Sequence, residues 1–164
     1  MKQFALMGLM AAPLAVVILG GCFASAGPTI GYRTGDGLTI GAEVTSGYLY
    51  YIHGGAGFFM RGAREKQKDD SMVATFYGFL GPGVYWPVSS SDFLSETALG
   101  IGVVGDRETD ASLFLRLWGG PSYVYKGGIV FNCFLGASFW DKGVWLHLTP
   151  QVGLFAVPGL GNVE

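Results

Sequence analysis

His53 and His147 are the only histidines of the chain, which also carries Ser95, Ser112, Ser122 and Ser138 and the carboxylates Glu43 and Glu96 within apolar segments. A serine hydroxyl, an imidazole and a carboxylate brought into line form the nucleophile, base and orienting group of acyl transfer. No local motif puts these residues in line, so a lipid hydrolase is a third reading behind two others and no residue is assigned a catalytic role. The same histidines have no cysteine or carboxylate cluster beside them and fall short of the four ligands usual for zinc. Asp106, Glu108 and Asp110 alternate and could turn carboxylate oxygens toward calcium, but the spacing lacks the glycine and distal glutamate of an EF-hand loop. A solvated loop without metal is expected there. Gly100-Ile101-Gly102-Val103-Val104-Gly105 fits G-x-G-x-x-G, a pattern that binds dinucleotides only when a helix follows it. Asp106-Arg107-Glu108-Thr109-Asp110 follows instead, so the segment reads as a strand whose glycines face a crowded interior, and no cofactor is expected.

Composition narrows the classes further. A formal net charge of −2, with Lys and Arg together at 10, offers no electrostatic footprint for nucleic acid. Glycine is frequent, 28 of 164 residues, yet there is no Gly-X-Y period and 15% of residues are aromatic, which describes a folded chain.

The elements that would position these side chains are strands. From Gly27 onward apolar residues alternate with small or polar ones, and turn pairs cut the pattern at Gly35-Asp36-Gly37, Gly81-Pro82-Gly83, Gly119-Gly120-Pro121, Gly127-Gly128 and Asp141-Lys142-Gly143. Strands are predicted near 28–34, 38–46, 48–60, 71–80, 83–88, 95–105, 111–118, 121–126, 129–140 and 144–157. Mergers would reduce the ten to eight. No apolar stripe at helical spacing appears in this part of the chain. The predicted class is all-β, an antiparallel up-and-down β-barrel of 8–10 strands after an N-terminal signal peptide.

The two faces of each strand decide what the barrel meets. Leu113, Leu115 and Leu117 oppose Ser112, Phe114, Arg116 and Trp118; Ile129, Phe131, Cys133, Leu135 and Phe139 oppose Val130, Asn132, Phe134, Ser138 and Trp140. Leu38, Ile40 and Val44 oppose Thr39, Gly41, Glu43 and Thr45, and Leu146, Leu148, Val152 and Leu154 oppose Trp145, His147, Thr149 and Gln151. A soluble barrel would hide the apolar face and crowd Lys, Glu and Arg onto the other. Here the second face is mostly glycine, serine, threonine and aromatic, and half of all charged residues lie in 61–70 and 106–110. That suits a narrow polar interior with lipid on the apolar face. Arg33, Glu43, His53, Glu96, Arg116, Asn132, His147 and Gln151 are then expected inside, with Arg116 paired to Glu43 or Glu96. Trp118, Tyr123, Tyr125, Trp140 and Trp145, at the ends of predicted strands, are expected in interfacial girdles.

The N-terminus carries an address. Lys2 and an apolar run through Leu19 have the form of a secretory signal, too short and too broken by Pro13 for a span with its stop-transfer flank. Leu19-Gly20-Gly21-Cys22 resembles the lipobox of bacterial lipoproteins, which implies acylation of Cys22, whereas Ala24-Ser25-Ala26 fits an ordinary signal-peptidase site. Whichever site is cut, the mature chain keeps no internal disulfide, because Cys133 then stands alone or with an acylated Cys22. The boundaries expected are a signal peptide over 1–21 and one β-barrel domain over 22–164. That domain resembles the small outer-membrane β-barrels of bacteria, which implies a non-enzymatic structural or binding role, lipid-anchored or integral, at the outer membrane or cell surface. Membrane lipid is the expected partner, with a small apolar ligand or an envelope protein as further candidates. The second reading is a soluble, lipocalin-like lipoprotein that encloses an apolar ligand.

Overall fold

A computed structural model describes residues 23–48, 52–61, 72–90, 92–106, 111–125, 128–141 and 143–155. Residues 1–21, where a signal peptide is expected, and Cys22 lie outside the described residues. Eight strands follow in chain order: β1 (Phe23–Arg33), β2 (Gly37–Tyr48), β3 (Ile52–Arg61), β4 (Val73–Ser90), β5 (Phe93–Gly105), β6 (Ser112–Tyr125), β7 (Ile129–Trp140) and β8 (Gly143–Phe155). Each pairs antiparallel with the next, and β8 returns to β1, so the sheet is a closed up-and-down barrel. Closure leaves no free strand edge.

Eight strands replace the ten predicted because two Gly-Pro clusters are strand and not turn. Gly81-Pro82-Gly83 lies within β4 and Gly119-Gly120-Pro121 within β6. Positive φ among the described glycines is confined to Gly35, Gly37, Gly128 and Gly143, so the glycines of these two clusters are extended. They are there for closeness: a Cβ on Gly81 would sit 1.9 Å from the Leu99 carbonyl oxygen, and one on Gly120 would sit 2.0 Å from that of Cys133. Pro82 and Pro121 are exposed on the outer face, and each interrupts one ladder, β4–β5 and β6–β7. Two other boundaries moved. β1 begins at Phe23, five residues before the predicted start, and the predicted strand 48–60 divides into the end of β2 and β3, with Tyr48 opposite Ile52.

The faces fall as the alternation predicts. Leu113, Leu135, Leu154 and Ile101 are each more than 60% exposed, while Phe114, Phe134, Trp118 and Tyr77 are buried. The wall is therefore apolar outside, and its interior is filled by aromatic rings and polar groups. Narrowness of the lumen shows at the inward glycines. A Cβ on Gly136 would lie 2.1 Å from the His147 ring, and one on Gly31 would lie 2.4 Å from Nε1 of Trp145.

The two ends differ. The start of β1 and the end of β8 lie at one rim, where β2 meets β3, β4 meets β5 and β6 meets β7 through short connections, while at the opposite rim the strands are joined through 34–36, 62–72, 106–111 and 141–142. Both charge-rich stretches of the sequence belong to that opposite rim, hereafter the loop rim.

The Gly136 contact carries a prediction. Gly136→Val forces the His147 ring off its seat, and overpacking of this kind costs about 1–3 kcal/mol. A urea titration of the barrel in detergent micelles should show the midpoint fall accordingly.

Candidate functional site

The interior is the only place where the described residues gather chemistry, and it is built in layers by the inward positions of the strands. At mid-height Glu43 of β2 accepts hydrogen bonds from the Tyr77 hydroxyl of β4 and from the Arg116 guanidinium of β6, each at 2.7 Å. Arg116 is fully buried, and its guanidinium carbon lies 4.0 Å from the centroid of the Phe79 ring. An aromatic face is a fitting neighbour for a cation that cannot reach water. Arg116 thus pairs with Glu43 and not with Glu96.

Glu96 serves a second cluster nearer the rim of the chain ends. His53 Nδ1 lies 2.7 Å from Glu96 Oε1, and the Trp118 indole donates to the same oxygen at 2.9 Å. Phe23 packs edge-on against His53 and Tyr85, with ring centroids 5.2 and 5.0 Å away. Between the two clusters runs a neutral bridge. The hydroxyls of Ser25 and Thr45 each donate to Oε1 of Gln151 at 2.6 Å, and Asn132 donates to Ser25 at 3.0 Å. His147 stacks on Trp145 at 4.2 Å between centroids.

A third cluster closes the loop rim. Arg33 pairs with Asp36 at 2.8 Å, Arg61 reaches Asp106 at 3.4 Å, and Thr75 donates to Asp106 at 3.3 Å. Arg33 also lies over the Trp140 ring at 4.9 Å.

All eight residues expected inside, Arg33, Glu43, His53, Glu96, Arg116, Asn132, His147 and Gln151, are buried. They do not form one cluster: Arg33, Glu43, His53, Glu96 and Arg116 are divided among the three charged clusters, Asn132 and Gln151 belong to the neutral bridge, and His147 stacks on Trp145. Four expectations are corrected. Trp118 and Trp145 are not girdle residues: both are buried inside, with their indole N–H groups donating to Glu96 and Thr39. Trp140 is not one either, being half-buried against the interior rings and beneath Arg33. Their inward parity outweighs their place near a turn. Tyr123 and Tyr125 do face outward. Asp106 is not a solvated loop carboxylate, since its side chain is buried against Arg61. Tyr77, Asp36 and Arg61 were missed as interior partners. Parity would have found Tyr77 had the other face of its segment been less apolar.

Catalysis by serine, histidine and carboxylate is not assembled among the described residues. His53 does pair with Glu96, but no serine hydroxyl is bonded to its Nε2. His147 contacts Thr149 and no carboxylate. No group of three or more His, Cys, Asp or Glu suited to a metal occurs among the described residues, and Cys133 is a free thiol on the outer face.

No protein-family model matches the sequence, and no curated protein sequence matches it. Solved structures do resemble it. Ail, the attachment invasion locus protein of Yersinia pestis, aligns with a TM-score of 0.56 at 14% identity, over 82% of this chain and 97% of that one. Neisserial surface protein A aligns with a TM-score of 0.56 at 10% identity, over 81% of this chain and 96% of that one. At these identities the likeness is one of fold.

The central ion pair yields a prediction. Arg116→Met leaves Glu43 buried without its cation and should cost about 3–5 kcal/mol, whereas adding Glu43→Gln to that variant should recover most of the loss. Urea unfolding of the two single variants and the double variant in micelles measures the coupling.

Proposed function

We propose that the chain is an integral β-barrel of a bacterial outer membrane with a structural or binding role and no catalytic one. The observation that carries this reading is the inverted wall: bulky apolar side chains all around the outside, and paired charges at the centre. In water that arrangement would expose its leucines; in lipid the leucines meet acyl chains, and the charges are held away from them inside the wall. The lipocalin-like alternative needs Leu113, Leu115, Leu135 and Leu148 to line a cavity, and they face outward. By the habit of such barrels, short connections lie on the periplasmic side and longer ones outside the cell. Accordingly the loop rim, with 62–72 and 106–111, is the surface offered to an envelope or extracellular partner.

The proposal includes acylation at Cys22. Cleavage after Ala26 would remove the first four residues of β1, and with them Phe23, packed on His53 and Tyr85, and Ser25, bonded to Gln151. Cleavage before Cys22 keeps the strand whole. The acyl chains would then enter the membrane at the rim itself, with no tether between anchor and wall.

Two measurements test the reading. The chain from Phe23 onward, which lacks both signal and Cys22, should refold to a β-rich, heat-modifiable monomer in detergent micelles and precipitate in plain buffer; a monodisperse monomer in buffer would overturn the membrane assignment. Within micelles, Leu135→Arg should cost about 2–4 kcal/mol, the scale for a cation on a lipid-facing wall. Separately, mass spectrometry of the full chain expressed in a bacterium should find an acylated N-terminal Cys22, and Cys22→Ser should abolish that modification.

A further inference from the structure

The β1–β8 joint differs from the other seven. Its ladder pairs Phe23–Ala26 with Val152–Phe155 and Ile30–Arg33 with Trp145–Leu148, and the three positions between are unpaired. The register on both sides of the gap sets Pro28 opposite Pro150. Each proline keeps its pairing on its other side, Pro28 opposite Ala42 and Pro150 opposite Cys133. In an antiparallel ladder a residue turns its N–H toward one neighbour only, so the donor that each proline lacks is the one that would have crossed this joint. Two hydrogen bonds are missing from a single pair. The gaps at Pro82 in β4–β5 and Pro121 in β6–β7 each involve a proline on one strand alone.

Two more features bear on the same joint. It is the one junction of the barrel without a connecting turn at either end, because it joins the first strand to the last. Behind the gap the inward side chains are Gly27, Thr29, Thr149 and Gln151; the two threonines are 3.2 Å apart, and Gln151 accepts a hydrogen bond from Ser25 of β1 at the edge of the gap. No bulky ring locks the strands together from within at this height. Across the other joints, parting the strands would strand donors and acceptors that lipid cannot satisfy. Here two of the donors do not exist.

We infer that the β1–β8 joint is a lateral seam, the place where the wall parts between Pro28 and Pro150 and opens the polar interior toward the surrounding phase. The inference goes beyond the membrane reading and needs only the register. Its test compares strands within one barrel, so it reads the same in micelles or in buffer.

Amide hydrogen exchange of the folded barrel should be fastest, among residues at mid-height, at Ala26, Ile30, Leu148 and Val152, whose N–H groups cross the seam. Central amides of the β2–β3 joint, such as those of Ala42 and Phe58, are the internal reference. Pro28→Ala with Pro150→Ala restores both donors and should slow the four seam amides by about tenfold or more, the scale of two regained hydrogen bonds. Pro82→Ala should leave them unchanged. A second variant locks the seam covalently: Thr29→Cys with Thr149→Cys, in a Cys133→Ser background, places thiols at a non-hydrogen-bonded pair, where strands approach most closely. Oxidation should slow the seam amides and reduction should release them. Seam amides as protected as those of Ala42 and Phe58, or fast amides that respond to neither the alanine pair nor the disulfide, would overturn the inference.

Discussion

Closure is the constraint from which everything else in this molecule follows. Eight strands that pair all the way round leave no free edge, and they also enclose a lumen too narrow to hold anything but side chains. Every inward position must therefore be either a filler or a gap. Large rings such as Trp145 and Trp118 are seated where Gly31 and Gly100 supply the space, so the glycines are the complement of the aromatics. Charge inside such a lumen has no water to fall back on. Glu43 and Arg116 persist because each meets the other at 2.7 Å, with Tyr77 and the Phe79 ring occupying much of what remains around them.

The three interior clusters divide the barrel by height, and each is tied to a different set of strands. Glu43, Tyr77 and Arg116 link β2, β4 and β6 across the lumen, while His53, Glu96 and Trp118 link β3, β5 and β6. Such cross-links oppose independent movement of neighbouring strands. The loop rim is held by Arg33, Asp36, Arg61 and Asp106, so the connections there spring from an ordered base.

Much of this was legible in the sequence, for reasons that can be named. In 111–118 and 129–140 one face is wholly apolar, so parity alone orients each side chain, and Arg116, Asn132 and Leu135 fall on the expected sides. The segment 73–80 is apolar on both faces, and Tyr77 was hidden there. Gly81-Pro82-Gly83 misled because glycine serves close approach as well as turning, while Tyr48 to Ile52 hid a hairpin because nothing in that stretch marks a turn. Trp118 shows two cues in conflict, parity placing it inside and its neighbouring glycines suggesting a strand end; parity prevailed. The choice of Glu43 over Glu96 for Arg116 depends on stagger between strands far apart in sequence, which no local pattern encodes.

The paired prolines also bear on how the barrel forms. Until β8 meets β1 the molecule is an open sheet with those two strands as its margins, and closing it requires contact between the ends of the chain, the slowest kind to make. During that interval each margin offers its unpaired backbone to any other copy nearby, which is the usual beginning of strand-mediated aggregation. Pro28 and Pro150 remove a donor from the middle of each margin, on the side that faces outward along the sheet. The same two residues that thin the finished joint thus make the unfinished sheet a poorer template for a stranger, while leaving enough ladder on both sides of the gap for the chain to recognise its own other end.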